Sequence, residues 1–178
     1  MLNILKRTYL HFLPWLWKIA VFRGNFSENK NWEKNLLKKG IYRNTNFILF
    51  GDSQIALWRM KTSFGKLPLK NRGKNSDLAS LAIKRFSKEI LKYHPTAVII
   101  LIGTNDLAQK RGNINILKDL EQMSQLSQEE KITPFLCSIL PVNGRPQETR
   151  SNTEIKSLNN LIKNYCQKKS LSYIDFWR

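Results

Sequence analysis

The chain has 178 residues, with 30 Lys and Arg against 13 Asp and Glu (net charge +17), 42% hydrophobic residues and only two histidines. That length suits one domain with a real core, which excludes a multidomain enzyme, and the apolar content excludes wholesale disorder. An excess of cations invites an anionic partner, because Lys and Arg near a polyanion release its counterions; yet the sequence has no RNP aromatics, zinc-ligand spacing or recognition-helix pattern, so nucleic acid is not expected.

Residues 1–23 form a block of their own, mostly apolar from Tyr9 to Phe22 and flanked by Lys6, Arg7 and Arg23. Pro14 and Lys18 interrupt it, and about 20 apolar residues are needed to cross a bilayer, so an ordinary spanning helix is not expected. Three readings stay open. The block docks on the domain as a helix or two, it lies in a membrane interface with Trp15 and Trp17, or it is a cleaved signal, although no small-x-small site follows it. A cytoplasmic or membrane-associated location is expected over secretion, with an anionic membrane surface as a partner of residues 1–43. Residues 24–45 are polar and basic and read as a short helix or linker, so the chain divides into an N-terminal segment, 1–45, and a domain, 46–178.

From Asn46 the texture changes to short apolar runs alternating with longer segments of helical period. The runs are 46–50 (NFILF), a weak one at 67–71, 97–102 (AVIILI), 133–140 (TPFLCSIL) and 171–176 (LSYIDF). Between them, Leu78, Leu81, Ala82, Phe86 and Ile90 make one helical stripe, preceded by Asn75 and Ser76 as candidate caps and stopped by His94-Pro95. Ile116, Leu117, Leu120, Met123 and Leu126 make a second stripe. Ile155, Leu158, Leu161, Ile162 and Tyr165 make a third, with Ser151 and Glu154 at capping-box spacing. Mostly apolar strands with amphipathic helices between them predict an α/β fold, a three-layer α/β/α sandwich around a mainly parallel five-stranded sheet of flavodoxin-like architecture. Cys137 and Cys166 read as packed small hydrophobes, with neither a disulfide nor a metal site.

In such folds ligands bind outside the carboxyl ends of the strands. There the first run ends in Gly51-Asp52-Ser53, the second in Asn71-Arg72-Gly73 and the third in Gly103-Thr104-Asn105-Asp106. Together they offer a hydroxyl, a backbone amide and a side-chain amide. Acyl transfer needs such a set: a nucleophile, and donors aimed at the oxygen that becomes negative in the tetrahedral intermediate. Gly-Asp-Ser alone suits many strand-to-helix turns.

Three such blocks in order, FGDS, NRG and IGTND, each after the expected strand and followed by SILPV, resemble the SGNH or GDSL-type ester hydrolases from about residue 46 to 176. The resemblance implies Ser53 as nucleophile, at the start of the helix after the first strand. Its own amide, the Gly73 amide and the Asn105 side chain would form the oxyanion hole. It also implies an ester substrate, whether an acylated lipid, sugar or small molecule, and no cofactor. Gly73 would let backbone approach the substrate without a Cβ in the way. Ser53 could serve equally as an N-cap, and Asp52 and Asp106 read as loop-structuring acceptors of backbone N–H groups.

A serine nucleophile needs a base, which in this family is the histidine of a D-x-x-H block after the last strand. Here Asp175-Phe176-Trp177-Arg178 places an arginine where that histidine would stand, and a guanidinium accepts no proton at neutral pH. His94 precedes the third strand and His11 belongs to the N-terminal block, so neither is expected to help. Loss of the histidine costs on the order of a millionfold in turnover, so at most trace activity is expected. Truncation ahead of the D-x-x-H block is the favoured explanation, because the match holds to the last residue; a non-catalytic module that binds acyl-sugars or lipids is the alternative. A sheet without a closing helix after its fifth strand would also leave apolar surface uncovered.

Overall fold

A computed structural model of the protein describes residues 46–60, 63, 69–143 and 149–177; the readings of segment 1–45, and His11 with it, lie outside the described residues. The chain divides into two compact units, Met1–Thr45 with Arg59–Pro68, and Asn46–Trp58 with Leu69–Arg178. Nearly all described residues belong to the second.

Each of the five apolar runs holds a strand: β1 (Phe47–Gly51), β2 (Leu69–Gly73), β3 (Ala97–Leu101), β4 (Thr133–Cys137) and β5 (Ser172–Ile174). They form one sheet in the order β2-β1-β3-β4-β5, and every neighbouring pair is parallel. Parallel strands bury both faces, which is why β1 and β3 are apolar at nearly every position and buried along their whole length. The fourth and fifth runs extend past their strands. Past Cys137 the Ser138 N–H still donates to the Ile174 carbonyl at 2.9 Å, and the Ser138 hydroxyl accepts the Phe176 N–H at 2.7 Å.

The helices are α1 (Ser53–Ala56), α2 (Ala79–Glu89), α3 (Thr104–Ala108), α4 (Asn113–Glu129) and α5 (Asn152–Lys168), with a single 3-10 turn at Leu91–Tyr93. α2 packs on α4, and α4 on α5, so these three make one layer. Side chains alternate across a strand. Phe50 therefore meets Phe86 of α2 edge-on, 5.2 Å between ring centroids, while the backbones of its neighbour Gly51 and of Gly73 face Ile55 and Ala56 of α1 on the opposite side. The α/β fold is the expected one.

Local details depart from the sequence pattern. Ala79, Ala82, Phe86 and Ile90 are buried, but Leu81 is 44% exposed, because it falls on the flank of the stripe that Ala82 and Phe86 centre. Neither Asn75 nor Ser76 caps α2. Ser76 has left-handed backbone (φ 57°), unlike the extended conformation of a cap, and the Ala79 N–H donates instead to Asp106 Oδ2 at 2.9 Å. α5 keeps its capping box, the Glu154 N–H donating to Ser151 Oγ at 3.1 Å and the Ser151 N–H to Glu154 Oε2 at 2.7 Å.

Among the described residues the exposed large apolar side chains are Leu57, Leu81, Tyr93 and Ile114, all off the sheet, while Phe47, Leu49, Ile99 and Phe135 are buried. No helix among the described residues is long and apolar enough to cross a membrane.

Candidate active site

The strand register brings the three loops together. Gly51, the last residue of β1, lies opposite Gly73 on one side and Leu101 on the other. With neighbouring strands about 4.8 Å apart, the chain after β1 emerges between the ends of β2 and β3. Ser53, Gly73 and Asn105 therefore gather at one edge of the sheet, where the order reverses from β1 outward to β2 and back across to β3.

His94 stands at the other edge. It ends the 3-10 turn before β3, with a 70% exposed side chain 3.7 Å from Glu130. The five residues of β3, at about 3.3 Å each, put roughly 16 Å between the two edges, so His94 cannot serve Ser53.

At Ser53 the cap belongs to its neighbour. Asp52 is the N-cap of α1, its Oδ1 accepting the Gln54 N–H at 2.9 Å, and Ser53 is the first helical residue. A first-turn N–H has no acceptor within its own helix, so the Ser53 amide remains available to a ligand. The Ser53 side chain is half-buried, and no hydrogen bond to its hydroxyl occurs among the described residues.

Asp52 itself is fully buried, and its second carboxylate oxygen has no hydrogen-bond partner. Burial lifts its pKa from 3.8 to about 6; the Gln54 N–H opposes the rise, the charges of Asp106 and Asp77 add to it, and Arg150 opposes it.

Gly73 plays a different part from the one expected. A Cβ there would meet Ala56 N, Ala56 Cα and Ile55 C, the last two at 2.6 Å, so the missing side chain makes room for the backbone of α1, not for a substrate. Its N–H donates to Asn71 Oδ1 at 2.8 Å, and Asn71 Nδ2 in turn donates to Ile55 O at 2.6 Å. The Gly73 amide thus reaches an oxyanion only by sharing or leaving the Asn71 bond.

Asn105 lies in the first turn of α3 and donates one Nδ2 hydrogen to the Asp77 carbonyl at 2.9 Å. An amide nitrogen carries two hydrogens, so this bond orients the group and leaves the other for a ligand. Asp106 accepts backbone N–H as expected, from Ala79, and its Oδ1 also takes Arg111 Nη1 at 2.9 Å. Asp52 likewise accepts the backbone N–H of Gln54.

Both cysteines are buried and unpaired, and burial raises their thiols, that of Cys166 to about 12. No group of His, Cys, Asp and Glu among the described residues could hold a metal ion.

Three site residues escape sequence reasoning. Asn71 is inside the NRG block, and its two-residue spacing to Gly73 is that of an Asx turn. Asp77 and Arg85 give no local signal beyond the Arg85–Glu89 pair at i,i+4, yet Arg85 reaches Asp77, Arg72 and Gly51. Chemically, the edge presents a hydroxyl, a free helix-terminal N–H and a neutral side-chain donor, a set suited to a carbonyl that becomes an oxyanion.

A parallel α/β sheet with these loops at its carboxyl edge is an architecture that this chain shares with ester hydrolases. A family model for the GDSL-like lipase/acylhydrolase family matches residues 50–178. The chain belongs to that family. Among solved structures it is similar to a GDSL-like lipase from Bacteroides thetaiotaomicron, at 22% identity and a TM-score of 0.68, covering 80% of this chain and 77% of the other. It is also similar to a lipase/acylhydrolase from Enterococcus faecalis, at 26% identity and a TM-score of 0.63, covering 75% and 76%. None of the curated proteins matches the sequence.

Proposed function

We propose that the ester-hydrolase chemistry of this chain is centred on Ser53 as nucleophile, with the Ser53 amide and Asn105 Nδ2 as the two ready oxyanion donors and the Gly73 amide as a third that must be recruited from Asn71. The observation that carries this reading is the register, which flanks the end of β1 with the ends of β2 and β3. The substrate is an ester of a lipid, a sugar or a small molecule, the class to which family membership points.

The base is the open position. Within the 178 residues no histidine follows β5. After β5 the chain returns toward α1, the Phe176 ring lying 6.5 Å from that of Trp58. A D-x-x-H block carried just beyond it would come up beside Ser53. Asp175 accepts the N–H of Trp177 at 3.0 Å. A serine nucleophile without a histidine in that place keeps only the small activity that an oxyanion hole and binding leave to a triad without its base.

A chromogenic short-chain ester tests this. The 178-residue chain should exceed its Ser53→Ala variant only slightly, and a chain extended by a D-x-x-H block should hydrolyse the ester in a Ser53-dependent way. Equal activity of Ser53→Ala in the extended chain sinks the assignment. Saturable binding of an acylated sugar or lipid, weakened by Asn105→Ala and without turnover in either chain, would favour the binding module. Residues 1–43 are proposed to hold the protein at anionic membrane, which steeply salt-dependent binding to phosphatidylserine vesicles, lost on their deletion, would reveal.

A further inference from the structure

Arg85 of α2 has a side chain only 12% exposed, which is unusual for so strongly hydrated a group unless every donor is used. Its guanidinium lies 4.1 Å above the Phe50 ring. Nε donates to Asp77 Oδ2 at 2.8 Å and Nη2 lies 2.8 Å from the same oxygen, while Nη1 donates to Glu89 Oε2 at 2.6 Å. The remaining bonds go to main chain. Nη2 donates to the Gly51 carbonyl at 3.1 Å and Nη1 to the Arg72 carbonyl at 3.1 Å.

Three of these four partners, Gly51, Arg72 and Asp77, are not scattered. Gly51 is two residues before Ser53. The Arg72 carbonyl belongs to the same peptide unit as the Gly73 N–H. Asp77 is the residue whose own carbonyl holds Asn105 Nδ2. One rigid, permanently charged fork thus bonds the strand end two residues before Ser53, the peptide that carries the Gly73 N–H, and the residue whose carbonyl holds Asn105 Nδ2.

We propose that Arg85 is the positioning residue of the oxyanion hole, acting on Asn105 through Asp77 and on the Gly73 amide through the Arg72 carbonyl. Resting on the Ser53 reading, it adds the group that keeps the three loops in register. Its donors are fixed in a plane, so the strand ends of β1 and β2 and the turn before α2 are held at one spacing. A hydrogen bond to the Arg72 carbonyl also polarises that peptide and strengthens the donor on its nitrogen. Lysine cannot replace it, because a single ammonium on a flexible stem lacks the planar fork that reaches three partners at once.

The test uses the 178-residue protein labelled with nitrogen-15, with Arg85→Lys and the neutral donor variant Arg85→Gln in parallel, since Arg85→Ala would leave Asp77 buried and unpaired. Hydrogen exchange of the Asn105 side-chain amide, assigned by its loss in Asn105→Ala, reports the bond to Asp77. Losing a bond of ordinary strength should speed that exchange on the order of tenfold in both variants, with backbone protection at Ile99 and Leu136 unchanged. Unchanged Asn105 exchange in both variants, with the β3 and β4 core intact, overturns the proposal. So does loss of protection in the core of both, which would make Arg85 a general fold residue.

Ester turnover of the chain extended by a D-x-x-H block supplies a second reading, with that extended chain as parent. If Arg85 works through Asn105, Arg85→Lys and Asn105→Ala lower kcat by similar factors of at least about tenfold at little-changed KM, and the double variant falls no further. Multiplying effects refute the coupling. Turnover in the parent no higher than in Ser53→Ala is the distinct signature of a failed nucleophile assignment, and the exchange measurement still decides the role of Arg85.

Discussion

Asp52 makes the protein's stability depend on pH in a direction opposite to that of most acidic residues. Its carboxyl is fully buried, its Oδ1 takes the Gln54 N–H, its Oδ2 has no partner, and burial raises its pKa from 3.8 to about 6. Between those two values the folded protein keeps a proton that the unfolded chain has released. Stability from this group is therefore complete below about pH 3.8 and is lost as the pH climbs through about 6. At about 1.4 kcal/mol per pH unit, the loss amounts to about 3 kcal/mol. Asp52→Asn keeps the acceptor for Gln54 and removes the ionisation. Urea unfolding of parent and variant at pH 4 and pH 7.5 should show the variant gaining about 2.4 kcal/mol relative to the parent across that interval, because part of the loss has already occurred at pH 4, or roughly 1.2 M in midpoint for a slope near 2 kcal/mol per molar. Asp77 and Asp106, whose charges face Asp52, and Arg150 are common to both proteins, so the difference reports chiefly on Asp52. A difference that stays constant with pH would mean that Asp52 titrates as an ordinary carboxylate and that the Arg150 charge offsets its burial.

Three further outcomes follow from packing and capping. Gly73→Ala drives a methyl into the backbone of Ile55 and Ala56; overpacking should cost about 1–3 kcal/mol in thermal unfolding, and a shift of α1 by an ångström should cost on the order of a hundredfold in Ser53-dependent turnover. Asn159 bonds both the N–H (2.7 Å) and the carbonyl (3.0 Å) of Ile139 from a buried position; Asn159→Ala strands both groups and should cost about 2–4 kcal/mol in urea unfolding. Ser151→Ala breaks the capping box of α5, and a loss of about 1 kcal/mol in the same measurement is expected; no loss would show that Glu154 alone caps the helix.

The sequence by itself determined the strands, the centre of each helical stripe, the α5 capping box and the edge at which Ser53, Gly73 and Asn105 lie. Each is written in neighbouring residues: a strand in four or five apolar positions, a cap in three, the candidate site loop in a Gly-Asp-Ser turn that must follow the strand before it. The tertiary structure alone decided how those groups are used. Asp106 caps a helix 27 residues earlier, Arg85 binds a carbonyl 34 residues before it, and Asn105 hangs on a carbonyl 28 residues away. Gly73 serves a contact with α1 that its own neighbours do not announce. Such bonds join segments brought together only when the sheet orders its strands, and chain-local periodicity and propensity carry no record of a partner that far along the sequence.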